Sequence, residues 1–96
     1  MIFAVAEAAI AEADSHHVLK AWSDLVVGDR PPGMLECYLL QGDGGLWQIA
    51  SVWDDHDALN RALGDEGNHP AYAVFEAAGA DTRHVSMQVT GRLAGP

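Results

Sequence analysis

Apolar and polar residues alternate along some stretches of the chain and recur with a helical period along others, and the switches between the two patterns predict seven elements. Met34 to Trp53 reads as two strands joined by the glycine-rich turn Gly42-Asp43-Gly44-Gly45. A side-chain period of two puts Leu35, Cys37 and Leu39 on one face of the first of these strands, and Met34, Tyr38 and Leu40 on the other. In the second, Leu46, Ala50 and Val52 share one side and Trp47, Ile49 and Trp53 share the opposite one. Neither face is composed to meet water. A single helical layer covers one of them, which leaves the other for a second subunit or a ligand, so the pattern predicts a dimer.

The flanking segments complete the order. Ile2 to Ile10 mixes helix-favouring alanines with Ile2, Phe3 and Val5, which suit a strand entering a core, and it is read as a strand. Asp14 or Ser15 caps a helix whose stripe is Val18, Leu19, Trp22, Leu25 and Val26, and Gly28 ends it. Arg30-Pro31-Pro32-Gly33 is a stiff connection into the hairpin. Beyond the hairpin, Asp54 or Asp55 caps a second helix, with Ala58, Leu59, Ala62 and Leu63 inward and Gly64 at its end. A third helical segment begins at Asn68 or His69, holds Pro70 in its first turn and faces Ala71, Val74, Phe75 and Ala78 inward. His84 to Leu93 alternates as a strand, with Val85, Met87, Val89 and Leu93 on one face and His84, Ser86, Gln88, Thr90 and Arg92 on a wet one. Strand, helix, strand, strand, helix pair, strand closes most simply as an α+β, ferredoxin-like antiparallel sheet with helices on one face and the last strand at an edge.

Composition narrows the function classes. The 96 residues suit one domain, 1–96, able to bury about 60 to 65% of its unfolded surface. Cys37 has no partner for an internal disulfide, and its apolar strand predicts an inert, buried thiol. No apolar run reaches the ~18 residues of a membrane span, and no basic flank of a secretory signal precedes the first strand, which points to the cytoplasm. A formal charge of −9 repels phosphate backbones and anionic headgroups, so neither nucleic acid nor membrane is an expected partner. Asp54-Asp55-His56-Asp57, and Asp14 with His16-His17, carry metal-ligand types at unsuitable spacing. Consecutive residues point in different directions around a helix, and capping and the helix dipole explain acids in a first turn. The glycine turn joins two strands and opens no helix, so it is no nucleotide fingerprint. Neither a metal nor a cofactor is expected.

The side chains suited to an aromatic site are Trp22, Tyr38, Trp47, Trp53, Tyr72 and Phe75, each of which would serve equally as ordinary core. Ser51 offers a hydroxyl that orients a substrate oxygen or bonds to backbone. His69 precedes Pro70 at the mouth of a helix over the sheet and titrates near neutral pH, which makes it the candidate catalytic base, with capping as its plain alternative. His84 begins the last strand as an exposed histidine.

Pro32-Gly33-Met34-Leu35, Cys37-Tyr38-Leu39-Leu40 and Trp53-Asp54-Asp55-His56-Asp57-Ala58-Leu59 together resemble the antibiotic-biosynthesis monooxygenase (ABM) family. Its members show a Pro-Gly-hydrophobic step into strand two and a Trp-x-Ser/Asp-x-x-Ala-Leu step from strand three into helix two. The similarity covers nearly the whole chain and implies a ferredoxin-like unit whose sheets pack face to face as a dimeric α/β barrel, here a homodimer. It implies an activity less sharply, since the superfamily includes cofactor-free monooxygenases of polyphenols and quinols, haem-degrading enzymes, isomerases and proteins without a known reaction. Ser51 stands where members often carry Glu, and Ala62 where they often carry His. The haem-degrading set of Asn, Trp and His is missing its Asn from the first strand and its Trp from the second helical region. The reading the resemblance favours is a cofactor-independent monooxygenase of a small aromatic phenol, quinol or polyketide-like substrate. The alternatives are a non-catalytic ligand-binding or structural dimer, and an isomerase on the same barrel.

Overall fold

The computed structural model describes residues 1–63 and 70–95; the side chains of 70–72 fall outside the description. The elements are β1 (Ile2–Ala9), α1 (Ser15–Val26), β2 (Met34–Gln41), β3 (Leu46–Trp53), α2 (His56–Leu63), α3 (Pro70–Glu76) and β4 (Arg83–Gln88). The sheet order is β2-β3-β1-β4, with every neighbouring pair antiparallel, which is the ferredoxin-like arrangement. β4 lies at an edge, as the ferredoxin-like closure predicts.

Local chemistry sets the junctions. Asp14 occupies the cap position of α1 without a side-chain bond, and Ser15 Oγ instead donates back to the Glu12 carbonyl at 2.8 Å, closing a short 3₁₀ turn. At α2, Asp55 Oδ1 accepts the Ala58 amide at 2.8 Å, so the second of the two aspartates is the cap. Gly44 and Gly45 both adopt positive φ in the hairpin turn, and Gly45 lies against Ile10, whose amide donates to the Gly45 carbonyl at 2.8 Å.

One face of the sheet carries the helices. Along β1, the buried Ile2, Ala4, Ala6 and Ala8 sit opposite Trp53, Ser51, Ile49 and Trp47 of β3. The core divides in two. Ala6, Ala8, Val18, Trp47, Ile49, Val74 and Phe75 fill the space beneath α1 and α3, while Ile2, Ala4, Trp53, Ala58 and Leu59 pack beneath α2. The alanine column lets the helical layer approach closely, so the helix-favouring composition of β1 serves packing in this fold.

Three expectations are corrected. The period-two reading put Met34 with Tyr38 and Leu40, and Leu35 with Cys37 and Leu39. A β-bulge between Met34 and Glu36 instead pairs Met34 with Trp53 on the helix side and leaves Leu35 as the extra, exposed residue. The last strand was expected to run from His84 to Leu93, but β4 ends at Gln88. Ile2 of its partner β1 pairs with Gln88, and beyond it the Val89 amide donates to the Met1 carbonyl at 2.9 Å. The two faces of β4 also sit otherwise than composition suggests. His84, Ser86 and Gln88 register with Ala6, Ala4 and Ile2 on the helix side, and Val85 and Met87 lie on the open side with Val5 and Phe3. All six residues of the strand are exposed, because the helical layer does not extend over this edge.

The open face is apolar at its centre. Met87, Phe3 and Val52 form one row across the sheet, which ends in Glu36 on the β2 edge, and Val85, Val5, Ala50 and Tyr38 form the next. A more polar row follows, in which Glu7 accepts from Gln48 and from Arg83, each at 2.9 Å. Arg83 first and Gln48 second hold the Glu7 carboxyl below its usual range.

Candidate functional site

Trp22, Leu25 and Val26 follow one another at helical spacing on α1 and form one wall of a cleft of about 240 Å³. Arg30 and Pro31 of the stiff connection close one end, and Met34 and Cys37 of β2 form the floor. The bulge explains how Met34 comes to share this floor with Cys37. Desolvation pushes the Cys37 thiol above its ordinary range, so it is a neutral, weakly polar surface at neutral pH. Asp29 and Glu36 join Arg30 in the charged part of the lining. The volume lies just below the usual range for small-molecule pockets.

Ser51 and Trp53 lie directly beside that floor. Cys37 pairs with Ser51 and Met34 with Trp53 across the β2–β3 ladder, all four on the helix side. The Trp53 indole Nε1–H donates to Ser51 Oγ at 2.8 Å, and both residues are buried. Trp47 and Phe75 are in the core cluster beneath α1 and α3, against which Trp22 packs. Trp22, Trp47, Ser51, Trp53 and Phe75 therefore share the layer between helices and sheet. Tyr38 does not. It lies on the open face, 48% exposed, where a hydrogen bond to the Glu36 carboxylate and that group's negative charge raise its phenol above the usual range. His69 lies outside the described residues, as does the side chain of Tyr72.

Met34, Cys37 and Arg30 line the cleft without having been named for a site in the sequence. A strand-period reading hides the first because the bulge interrupts the period, and Arg30 meets the cleft only once the connection has folded back over α1. Among the described residues, no group of three or more metal-ligating side chains comes together, and no helix is long and apolar enough to cross a membrane. A broader groove of about 480 Å³ runs over the open face, along Val5, Glu7, Gln48, Arg83 and Met87.

The Pro-Gly step and the Trp-to-helix step meet in space. Gly33 adopts a φ of +85°, the Asp54 amide donates to its carbonyl at 2.9 Å, and a Cβ on Gly33 would fall onto the Ala58 methyl. The motif is thus one structural joint between the start of β2 and the start of α2. Residues 1–78 match antibiotic biosynthesis monooxygenase, and the chain belongs to that family. Its fold is similar to that of a Deinococcus radiodurans protein described as a candidate antibiotic biosynthesis monooxygenase, with a TM-score of 0.79 and 13% identity over 100% of this chain and 99% of that one. SnoaB, a cofactor-independent oxygenase from Streptomyces nogalater, is similar with a TM-score of 0.69 and 23% identity over 98% of this chain and 97% of its own. MhuD, crystallised with two manganese protoporphyrin IX molecules per active site, gives a TM-score of 0.69 and 16% identity over 99% of this chain and 100% of its own. At such identities the likeness is one of fold. Among curated proteins none matches the chain significantly.

Proposed function

We propose that this chain is a cofactor-independent monooxygenase of a small aromatic phenol or quinol, working as a homodimer in the cytoplasm. The observation that carries the reading is the apolar cleft walled by Trp22, with the buried Ser51–Trp53 pair beside its floor, in a chain of the monooxygenase family. A deprotonated phenol is electron-rich enough to pass an electron to dioxygen itself. The protein then has to bind the ring, take a proton and exclude water. For an anthrone, a ring CH₂ becomes C=O, the second oxygen atom leaves as water, and the substrate supplies all four electrons. Trp22 offers the ring surface, Trp47, Trp53, Tyr72 and Phe75 the surrounding aromatic layer, Ser51 a polar contact, and His69 the base. Oxygen consumption with a panel of quinols and anthrones, stoichiometric with product, is the expected result. Aromatic binding by tryptophan quenching without oxygen uptake would instead establish the ligand-binding alternative, which Ser51 and Ala62 at the family's Glu and His positions favour. Turnover without oxygen would point to an isomerase.

The homodimer reading rests on the open face, where Val85 and Met87 are each 50% exposed beside Phe3, Val5 and Val52. A second copy would remove this apolar area from water. Val85→Lys, harmless at an exposed position of a monomer, would place an unpaired ammonium in such an interface. Light scattering should show a dimer for the native chain and a halved mass for the variant. A native chain that is monomeric at micromolar concentration would reject the dimer.

A further inference from the structure

Ser51 is the one polar side chain in the buried set of described residues, at 3% exposure. Its oxygen accepts the Trp53 indole N–H, which leaves the hydroxyl's own hydrogen to donate. Ser15 and Ser23 spend theirs on the carbonyls of Glu12 and Leu19, but Ser51 meets no acceptor among the described residues. A buried donor left over in this way calls for a partner. The cleft supplies a place for one, because Ser51 and Trp53 neighbour Cys37 and Met34 of its floor across the strand pair. A ring lying on those two side chains against Trp22 brings a ring oxygen within about one strand spacing, ~4.8 Å, of the Ser51 position.

We propose that Ser51 is a positioning residue that binds the oxygen of the substrate's ionised form, so that the site selects phenols able to become phenolates. The inference rests on the aromatic-site reading above. A hydroxyl that accepts an N–H bond is polarised into a better donor, and a donor in a water-poor layer stabilises an anion more than it does a neutral oxygen. The surrounding charge makes such a local donor necessary. Asp29 and Glu36 outnumber Arg30 in the cleft lining, and the chain as a whole carries −9, so the general field opposes a bound anion. Cys37 remains a neutral thiol beside it and adds no competing negative charge. An aryl methyl ether fills the same space without offering an anionic acceptor.

para-Nitrophenol, whose ionised form absorbs visible light, and para-nitroanisole, its methyl ether, are the probes. Bound to the native protein, para-nitrophenol should ionise at a pH about one unit below its free value, a tenfold preference for the phenolate. Ser51→Ala should abolish that shift and weaken phenolate binding about tenfold or more, while para-nitroanisole binds both proteins equally. Para-nitrophenol bound to the native protein with its free pKa would overturn the proposal and leave the aromatic site standing, whether or not the variant folds. A shift that survives in a folded Ser51→Ala protein would also overturn it. Failure of both probes to quench tryptophan fluorescence would remove the aromatic site and the proposal together.

Discussion

His69→Ala should lower the rate of phenol or quinol oxygenation by about 10² to 10⁴, the usual worth of a positioned proton acceptor. The expectation follows from the proposed role of His69 as the base in a reaction whose first step is loss of a phenolic proton. The native rate should also fall as pH drops through about 6 to 7, where a free imidazole takes up a proton and can no longer accept one from the substrate. The variant should bind para-nitroanisole as tightly as the native protein, because the ring surface remains. His16→Ala is the control, since His16 is exposed at the start of α1. A native rate in His69→Ala would take the residue out of the mechanism, and equal losses in both variants would show that the effect is on the fold.

The largest expected loss of stability is at Gly33. Gly33→Ala forces an L-residue into a φ of +85° and drives its methyl into Ala58, whose own side chain is fully buried against Trp53 and Leu59. Backbone strain and overpacking together should cost about 2 to 4 kcal/mol, lowering the thermal midpoint by on the order of 10 °C or more for a domain of this size. Gly44→Ala isolates the backbone term. Gly44 also has positive φ, at +68°, but a Cβ there meets nothing within 4 Å, so only about 1 to 2 kcal/mol is expected. Equal midpoints for the two variants in calorimetry would show that the contact with Ala58 relaxes without cost.

What the sequence made legible is local in origin. Gly42 to Gly45 turns the chain because of its own backbone freedom, Asp55 caps α2 from three residues away, and Trp47, Ile49 and Trp53 share a face because a strand has a period of two. What it concealed depends on partners distant along the chain. Leu35 is displaced by the pairing of Met34 with Trp53 and of Glu36 with Val52, which no window around Leu35 contains. The end of β4 is likewise set by a distant partner, since Gln88 is the last residue in register with β1, opposite Ile2. The candidate site divides in the same way. Trp22 and Ser51 could be picked out as residue types, whereas the cleft joins α1, a proline-rich connection and a bulged strand. Tyr38 shows the limit of a list of aromatics, since one position of strand parity sends its ring to the far side of the sheet from Trp53.

The bulge also says where this strand tolerates a change of length. Leu35 opposes no residue of β3, so a relative lacking it could keep Met34 against Trp53, Glu36 against Val52 and every later pair unchanged, with a plain ladder in place of the kink. A residue lost between Cys37 and Gln41 has no such slack. It would carry the remainder of β2 to the opposite side of the sheet and take Leu39 away from the core it packs against beneath the helices. Gaps within this family are therefore expected to gather at the bulge and to avoid the strand beyond it.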